Sequence, residues 1–205
     1  FMLAFYAPAS GEPAHFGSDL AVPQLGSLHA QYLDLPSNAT CEVLLAVLAS
    51  SVNPSDRHPR ISSDSYPKVL GSDVAGVVVN ISDREQCSLR MGDRVFGDIG
   101  ANTRTIAGKT KELGAYAQYV VALAAQLSRM PPSMGFAEAG VLPKVALTSY
   151  KALVWYAGAA QWRRNASILI LGGSGGCGTT GIQLARALAP QGVHVTSTTS
   201  SKNSP

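Results

Sequence analysis

The sequence predicts an α/β protein whose first part is rich in β-strands and whose second part begins a doubly wound parallel sheet. Short apolar runs recur between turn signals up to about residue 130, a pattern typical of a small β-barrel or sandwich. The apolar spacing then becomes helical from Phe136 to Ala157, across two helices broken near Pro143. A strand, a glycine cluster and a helix follow, and residues 192–198 form a second strand, which together predict a β-α-β unit.

In the first part, residues 1–6 are expected to form a strand, and further strands are predicted for the ranges 43–49, 73–79, 93–97 and 115–121. The segments 8–23 and 100–114 have only loop chemistry, and His15 is expected at the surface. The two domains are predicted at 1–130 and 131–205. A dinucleotide-binding sheet needs more than two strands, so we expect a truncated sequence or a fragment.

The glycine cluster fits a dinucleotide-binding loop, because Gly173, Gly175 and Gly178 have the spacing G-x-G-x-x-G between a strand and a helix. Glycine permits a tight turn and lets backbone N–H groups approach a pyrophosphate, and the helix N-terminus favours that anion. The predicted loop residues are Gly173, Ser174, Gly175, Gly176, Cys177 and Gly178.

The end of the second strand favours NADPH over NADH. Folds that prefer NAD place an acidic residue there, on the ribose 2′-hydroxyl. This chain instead has Ser200, Ser201 and Lys202, whose hydroxyls and ammonium group attract a 2′-phosphate. The alternative for Lys202 is an exposed lysine near a frayed chain end.

Composition excludes some partners and leaves others open. A net charge of +3 without a basic-aromatic pattern argues against nucleic acid, and no apolar run is long enough for a membrane span. Cys41, Cys87 and Cys177 are far apart and odd in number, so they are predicted to be free thiols of a reducing compartment. The chain begins with Phe1 and shows no targeting segment, which leaves a cytoplasmic, mitochondrial or plastid location.

Several segments resemble the zinc-independent quinone oxidoreductase branch of the medium-chain dehydrogenase/reductase superfamily, including its zeta-crystallin-like and reticulon-interacting members. The matching segments, besides the glycine loop, are 51–56, 71–78, 92–97, 114–120 and 142–150. The resemblance implies a GroES-like β-barrel domain over 1–130, lacking its C-terminal return, and an incomplete Rossmann domain after it. It also implies a homodimer at full length.

The resemblance further implies a site without metal. Zinc alcohol dehydrogenases of the superfamily have a cysteine in the place of the Asn53 segment and Gly-His-Glu in the place of Gly71-Ser72-Asp73. A catalytic zinc needs about three protein ligands of N, S or O type, and here Ser72 replaces the ligand histidine.

The resemblance places Asn53 and Thr148 near the nicotinamide and His58 where some relatives have a substrate-side tyrosine. Asn53 is predicted to position reactants, and His58 or Tyr66 to donate to the acceptor. The alternatives are a simple turn at Asn53 and loop packing for Tyr66. The expected reaction is hydride transfer from NADPH to a small quinone or conjugated carbonyl (an enone). The rival functions are a 2-enoyl thioester reductase and a non-catalytic NADPH-binding protein.

Overall fold

The computed structural model describes residues 1–7, 13–25, 41–57, 68–83, 85–100 and 114–203. The chain divides into two compact units, Phe1–Lys144 and Val145–Pro205. The domain boundary expected near residue 130 stays a prediction. No helix among the described residues is both long and apolar enough to cross a membrane.

The first unit consists mainly of antiparallel β-structure arranged in two open sheets, and the described residues show no closed barrel. One sheet has the strand order β7-β3-β5-β6-β8, and the other has the order β2-β1-β4. The strands are β1 (Met2–Ala7), β2 (His15–Leu20), β3 (Glu42–Ala49), β4 (Lys68–Val69), β5 (Asp73–Ile81), β6 (Arg94–Asp98), β7 (Tyr119–Leu123) and β8 (Leu127–Arg129). A short helix, α1 (Phe136–Gly140), follows them.

The core of this unit lies on β3 and β5, which pair with each other at the centre of the larger sheet. Val43, Leu45, Val74 and Val78 are almost fully buried there. Most consecutive side chains of both strands are buried or half-buried, so both faces of these strands are largely covered, which explains why the sequence shows them as nearly continuous apolar runs. The strands predicted at 1–6, 43–49, 73–79 and 93–97 are confirmed. The strand predicted at 115–121 begins later than expected, at Tyr119.

The prediction that segment 8–23 contains only loop is wrong, because His15–Leu20 forms β2. β2 pairs with β1 at the edge of the smaller sheet, and most of its side chains are exposed or only half-buried. An exposed edge strand needs no apolar alternation, so its sequence lacks the pattern by which strands are recognised.

The prediction of free thiols is also wrong for two of the three cysteines, since Cys41 and Cys87 form a disulfide. Cys41 immediately precedes β3 and Cys87 follows β5, and the antiparallel pairing of Val43 with Ile81 brings these ends together. Their Cα atoms are 5.4 Å apart despite a sequence separation of 46. Cys177 is a free, exposed cysteine, so the thiol argument for a reducing compartment no longer holds.

The second unit contains the predicted β-α-β arrangement. Its strands β9 (Ser167–Ile170) and β10 (His194–Ser197) pair in parallel, with Ile168 opposite Val195. The helices are α2 (Pro143–Tyr150), which starts at the unit boundary and continues as a π-helical segment to Tyr156, and α3 (Gly176–Leu188). The break expected near Pro143 is confirmed, because α1 ends at Gly140 and α2 begins at Pro143.

Candidate functional site

The glycine loop of the second unit joins the end of β9 to the start of α3 and is fastened to the end of β10. The Gly172 N–H donates to the Thr198 hydroxyl at 3.0 Å, and the Gly173 N–H donates to the Thr198 carbonyl at 2.8 Å. Gly175 is the N-cap of α3. The loop is therefore held at the carboxyl ends of both parallel strands, which is where open α/β sheets bind their ligands.

The structure explains in different ways why glycine occupies these positions of the loop. The left-handed conformation falls on Gly172, with φ of +71°, which precedes the first glycine of the G-x-G-x-x-G spacing. A Cβ atom at Gly173 would overlap the Ser197 hydroxyl, and one at Gly178 would overlap the Gly172 carbonyl oxygen. At Gly175 the nearest atom to a Cβ would be the Gly172 carbonyl oxygen, at 3.4 Å. Gly175 is thus the position where the fold itself tolerates a side chain.

The start of α3 offers donors for an anion. The N–H groups of Gly176, Cys177 and Gly178 lie in the first helical turn, and they have no acceptor among the described residues. Unpaired N–H groups and the positive end of the helix dipole both favour a negatively charged group. The arrangement is compatible with a phosphate, and cofactor binding by these residues stays a prediction.

The residues predicted to contact a 2′-phosphate lie close to this loop. Ser201–Asn203 forms a 3₁₀ turn after β10, and the Asn203 side-chain amide donates to the Ser174 hydroxyl at 3.2 Å. Ser200, Ser201 and Lys202 are exposed. The turn places Lys202 beside the loop with its side chain open to solvent.

Thr148 is also brought to the glycine loop. It is exposed on α2, and its neighbour Ser149 is buried and donates to the Cys177 carbonyl at 2.8 Å. Thr148, Cys177 and Gly178 line one concavity of about 540 Å³. The second unit therefore assembles Thr148 and the loop, which the sequence separates by some 25 positions, into one region.

Asn53 lies in the first unit and is fixed by a buried polar cluster. It follows β3, is 6% exposed, and its Nδ2 donates to Asp73 Oδ2 at 2.7 Å and to Ser51 Oγ at 3.2 Å. Asp73 also accepts from the Ser51 hydroxyl at 2.5 Å and from the Lys144 backbone N–H at 2.7 Å. Because Nδ2 is the donor in both contacts, the orientation of the Asn53 amide is fixed, and no described residue donates to its Oδ1, which is therefore available to a ligand.

Asp56 forms the second half of this cluster. Its Oδ2 accepts from the Asn53 N–H and from the Tyr116 hydroxyl, both at 2.8 Å, and its Oδ1 accepts from the Ser72 hydroxyl at 3.1 Å. Burial, and then the hydrogen bond to Asp56, raise the pKa of Tyr116 well above its ordinary value. Tyr116 is thus a neutral hydrogen-bond donor at physiological pH.

Ser72, which the resemblance places where zinc alcohol dehydrogenases have a ligand histidine, is buried. Its hydroxyl donates a hydrogen bond to Asp56. Within the described ranges, no three His, Cys, Asp or Glu side chains converge on a point that could hold a metal ion. The absence of zinc from the protein stays a prediction.

Two predicted donors, His58 and Tyr66, lie outside the described residues. Asp56, Asp73 and Tyr116 were not predicted to have roles, although the structure places all three around Asn53 or its neighbours. One feature of the sequence could have indicated this cluster: Asp73 is a charged residue at the start of an apolar strand. A carboxylate that is fully buried, as Asp73 is, requires several hydrogen-bond donors around it.

A second concavity, of about 730 Å³, opens beside this cluster. We call it the aromatic pocket. It is lined by Phe5, Phe16, Ser50, Ser51, Val52, Asp56, Leu70 and Tyr116, all in the first unit.

Comparison with known proteins agrees with this architecture. Residues 39–132 match the family model described as the alcohol dehydrogenase GroES-like domain. The chain resembles the 2-methylene-furan-3-one reductase of Solanum lycopersicum, at 37% identity over 150 residues, covering 71% of this chain and 37% of the relative. It also resembles the chloroplastic NADPH-dependent alkenal/one oxidoreductase of Arabidopsis thaliana, at 33% identity with the same coverage, and the human quinone oxidoreductase, at 32% identity with 71% and 41% coverage.

Among solved structures, an alcohol dehydrogenase superfamily protein from Novosphingobium aromaticivorans aligns with a TM-score of 0.73 and 30% identity, over 99% of this chain and 55% of that chain. The chain spans about two fifths of the length of the curated relatives it matches. With this domain, these relatives and the glycine loop in place, the chain belongs to the medium-chain dehydrogenase/reductase superfamily, which also contains the relatives named above.

Proposed function

We propose that this chain contributes the cofactor loop and part of the catalytic domain of an NADPH-dependent reductase of quinones or other conjugated carbonyls. The observation that supports this proposal most strongly is the glycine loop, whose three N–H groups have no acceptor among the described residues, together with Ser200 and the adjacent turn that contains Ser201 and Lys202. The printed names of the relatives, a quinone oxidoreductase and an NADPH-dependent alkenal/one oxidoreductase, support the same chemistry.

In this proposal the residues have separate tasks. The N–H groups of Gly176, Cys177 and Gly178 bind the pyrophosphate, and Lys202 pairs with the 2′-phosphate. Thr148 and Asn53 orient the reactants, Asn53 through its amide oxygen, to which no described residue donates. NADPH, when bound, supplies the hydride, and no metal is required.

Lys202→Glu tests the choice of cofactor. We expect the substitution to weaken NADPH binding by at least about tenfold and NADH binding by less than about twofold, because it sets a carboxylate against the 2′-phosphate alone. Calorimetric titration of the chain with each nucleotide measures this. Lys151→Glu is the matched control, since it changes the net charge equally at an exposed residue of the same unit. Equal losses for both nucleotides in Lys202→Glu would show that this residue does not select NADPH.

Turnover separates the candidate reactions. NADPH oxidation with phenanthrenequinone supports the proposal, whereas oxidation only with crotonyl-CoA favours a 2-enoyl thioester reductase. Tight NADPH binding without turnover of either acceptor favours a non-catalytic NADPH-binding protein. Subcellular location and dimerisation stay predictions, for which fractionation and sedimentation are the direct measurements.

A further inference from the structure

The aromatic pocket has the size and rigidity of a small-molecule site. Its volume of about 730 Å³ lies in the usual range of such sites, about 300–1,000 Å³. The ring centroids of Phe5 and Phe16 are 4.9 Å apart, and those of Phe5 and Tyr116 are 6.4 Å apart. The Tyr116 ring also packs against Gly71, where φ is +91° and any Cβ atom would overlap the ring. These fixed rings favour a flat aromatic ligand.

The hydroxyl groups of the pocket have already donated their protons within the protein. The Ser50 hydroxyl donates to the Asp73 carbonyl at 2.6 Å, the Ser51 hydroxyl to Asp73 Oδ2, and the Tyr116 hydroxyl to Asp56 Oδ2. Among the described residues, the polar side-chain atoms that line the pocket therefore face a ligand as acceptors, with the Asp56 carboxylate the strongest of them.

A lining of acceptors distinguishes between aromatic ligands of similar shape. A quinone carries only acceptor oxygens, and the described side chains that line the pocket offer these oxygens no free donor, whereas a phenol or hydroquinone can donate its O–H to a carboxylate. We propose that the aromatic pocket binds an uncharged phenol or hydroquinone, stacked on the rings of Phe5, Phe16 and Tyr116 and hydrogen-bonded to Asp56. A hydroquinone is the reduced form of a quinone, so its identification as a reaction product rests on the proposed function, whereas phenol binding itself does not.

Calorimetric titration of the 205-residue chain without cofactor tests this with 2-naphthol, 2-methoxynaphthalene and 1,4-naphthoquinone. These probes share the ring system and differ in the ability to donate a hydrogen bond. We expect 2-naphthol to bind at least about tenfold more tightly than either other probe, as a hydrogen bond to a charged group implies. Asp56→Asn should reduce this preference to less than about threefold, because a neutral amide is the weaker acceptor.

Asp56 also accepts hydrogen bonds from Asn53 and Tyr116, so its substitution could disturb the fold around the pocket. A second variant tests the pocket without changing these hydrogen bonds. Val52 is 83% exposed at the pocket, and Val52→Trp should block it and weaken 2-naphthol binding at least about tenfold without disturbing the core. Val141→Trp is the matched control, because Val141 is an exposed valine of the same unit outside the pocket.

The proposal is overturned if 2-naphthol does not bind, if the three probes bind equally, or if Val52→Trp binds like the unchanged chain. Since no cofactor is present in these titrations, failure of the proposed reductase activity is a separate result. A chain that binds 2-naphthol but turns over no quinone contradicts only the proposed function.

Discussion

At the scale of single residues, one glycine of the loop is required by the fold and another is expected to be required only for cofactor binding. Gly178 is needed for close packing, because its Cβ would overlap the Gly172 carbonyl, whereas a Cβ at Gly175 has 3.4 Å to its nearest neighbour. We expect Gly175→Ala to keep the thermal midpoint but to weaken NADPH at least about tenfold, by occupying the space through which the pyrophosphate approaches the backbone.

Gly178→Ala serves as the comparison and should lower the thermal midpoint itself, because the loop backbone must shift. Circular dichroism and nucleotide titration on the two variants provide the measurements. Unchanged NADPH affinity in a folded Gly175→Ala chain would remove the glycine loop from the proposed cofactor site.

Asp98 provides a pH-dependent prediction. Burial raises its pKa above the ordinary value, while Lys144, whose Nζ lies 3.3 Å from Asp98 Oδ2, opposes that rise. A carboxyl with a raised pKa in the folded state binds its proton more tightly there, so it reduces stability as the pH rises. Lys144→Met should raise the pKa of Asp98 further, and the variant should lose more stability than the unchanged chain between about pH 4 and pH 7.

Urea unfolding at several pH values measures this, with Lys151→Met as the control for removing an exposed lysine charge. Parallel pH profiles for Lys144→Met and the unchanged chain would show that the ion pair does not hold the Asp98 charge.

The sequence indicated the chemistry of individual residues better than it indicated which residues they contact in the fold. The glycine loop was recognisable because its spacing is local, whereas the spacing alone did not indicate that Gly172 has the positive φ. The cluster around Asn53 could not be derived, since Asp73 and Tyr116 reach it from 20 and 63 positions away through sheet pairing. Such contacts depend on strand register, which no local pattern specifies.

At the scale of elements, the same distinction holds. Central strands such as β3 and β5 were predictable from their apolar runs, whereas the edge strand β2 was not, because its side chains are exposed. The disulfide was missed because the pairing of β3 with β5, and not cysteine spacing, places Cys41 beside Cys87.

The disulfide is expected to stabilise the pairing of β3 and β5. Closing a loop of this length restricts the unfolded chain by about 4 kcal/mol on the loop-entropy estimate. We expect the double substitution Cys41→Ala and Cys87→Ala to lower the free energy of unfolding by about that amount under oxidising conditions.

Urea unfolding with and without a thiol reductant measures the effect, because the unchanged chain should approach the variant only when reduced. Cys177→Ala is the control, since that thiol is free. Identical stability of the oxidised chain and the double variant would show that the bridge does not stabilise the sheet.

At the scale of the whole molecule, the buried apolar clusters belong to the first unit, while the second unit exposes large apolar side chains among its described residues. The three clusters lie on the β-sheets and around α1. In the second unit Trp155, Tyr156, Leu169 and Leu171 are all more than 60% exposed. Local stability follows buried apolar contact, so we expect the second unit to exchange its amide hydrogens faster than the first.

NADPH binding and reduction of the Cys41–Cys87 disulfide should therefore change hydrogen exchange in different parts of the chain. NADPH should slow hydrogen exchange most strongly in peptides covering the glycine loop and the end of β10, because binding stabilises the native state by about 2.7 kcal/mol at 100 times Kd. Reduction of the disulfide should instead accelerate exchange in peptides covering β3 and β5, which Cys41 and Cys87 adjoin. Exchange mass spectrometry resolves both effects by peptide. Protection by NADPH confined to the first unit would contradict the assignment of the cofactor loop, and faster exchange spread evenly over both units on reduction would contradict a local role for the disulfide.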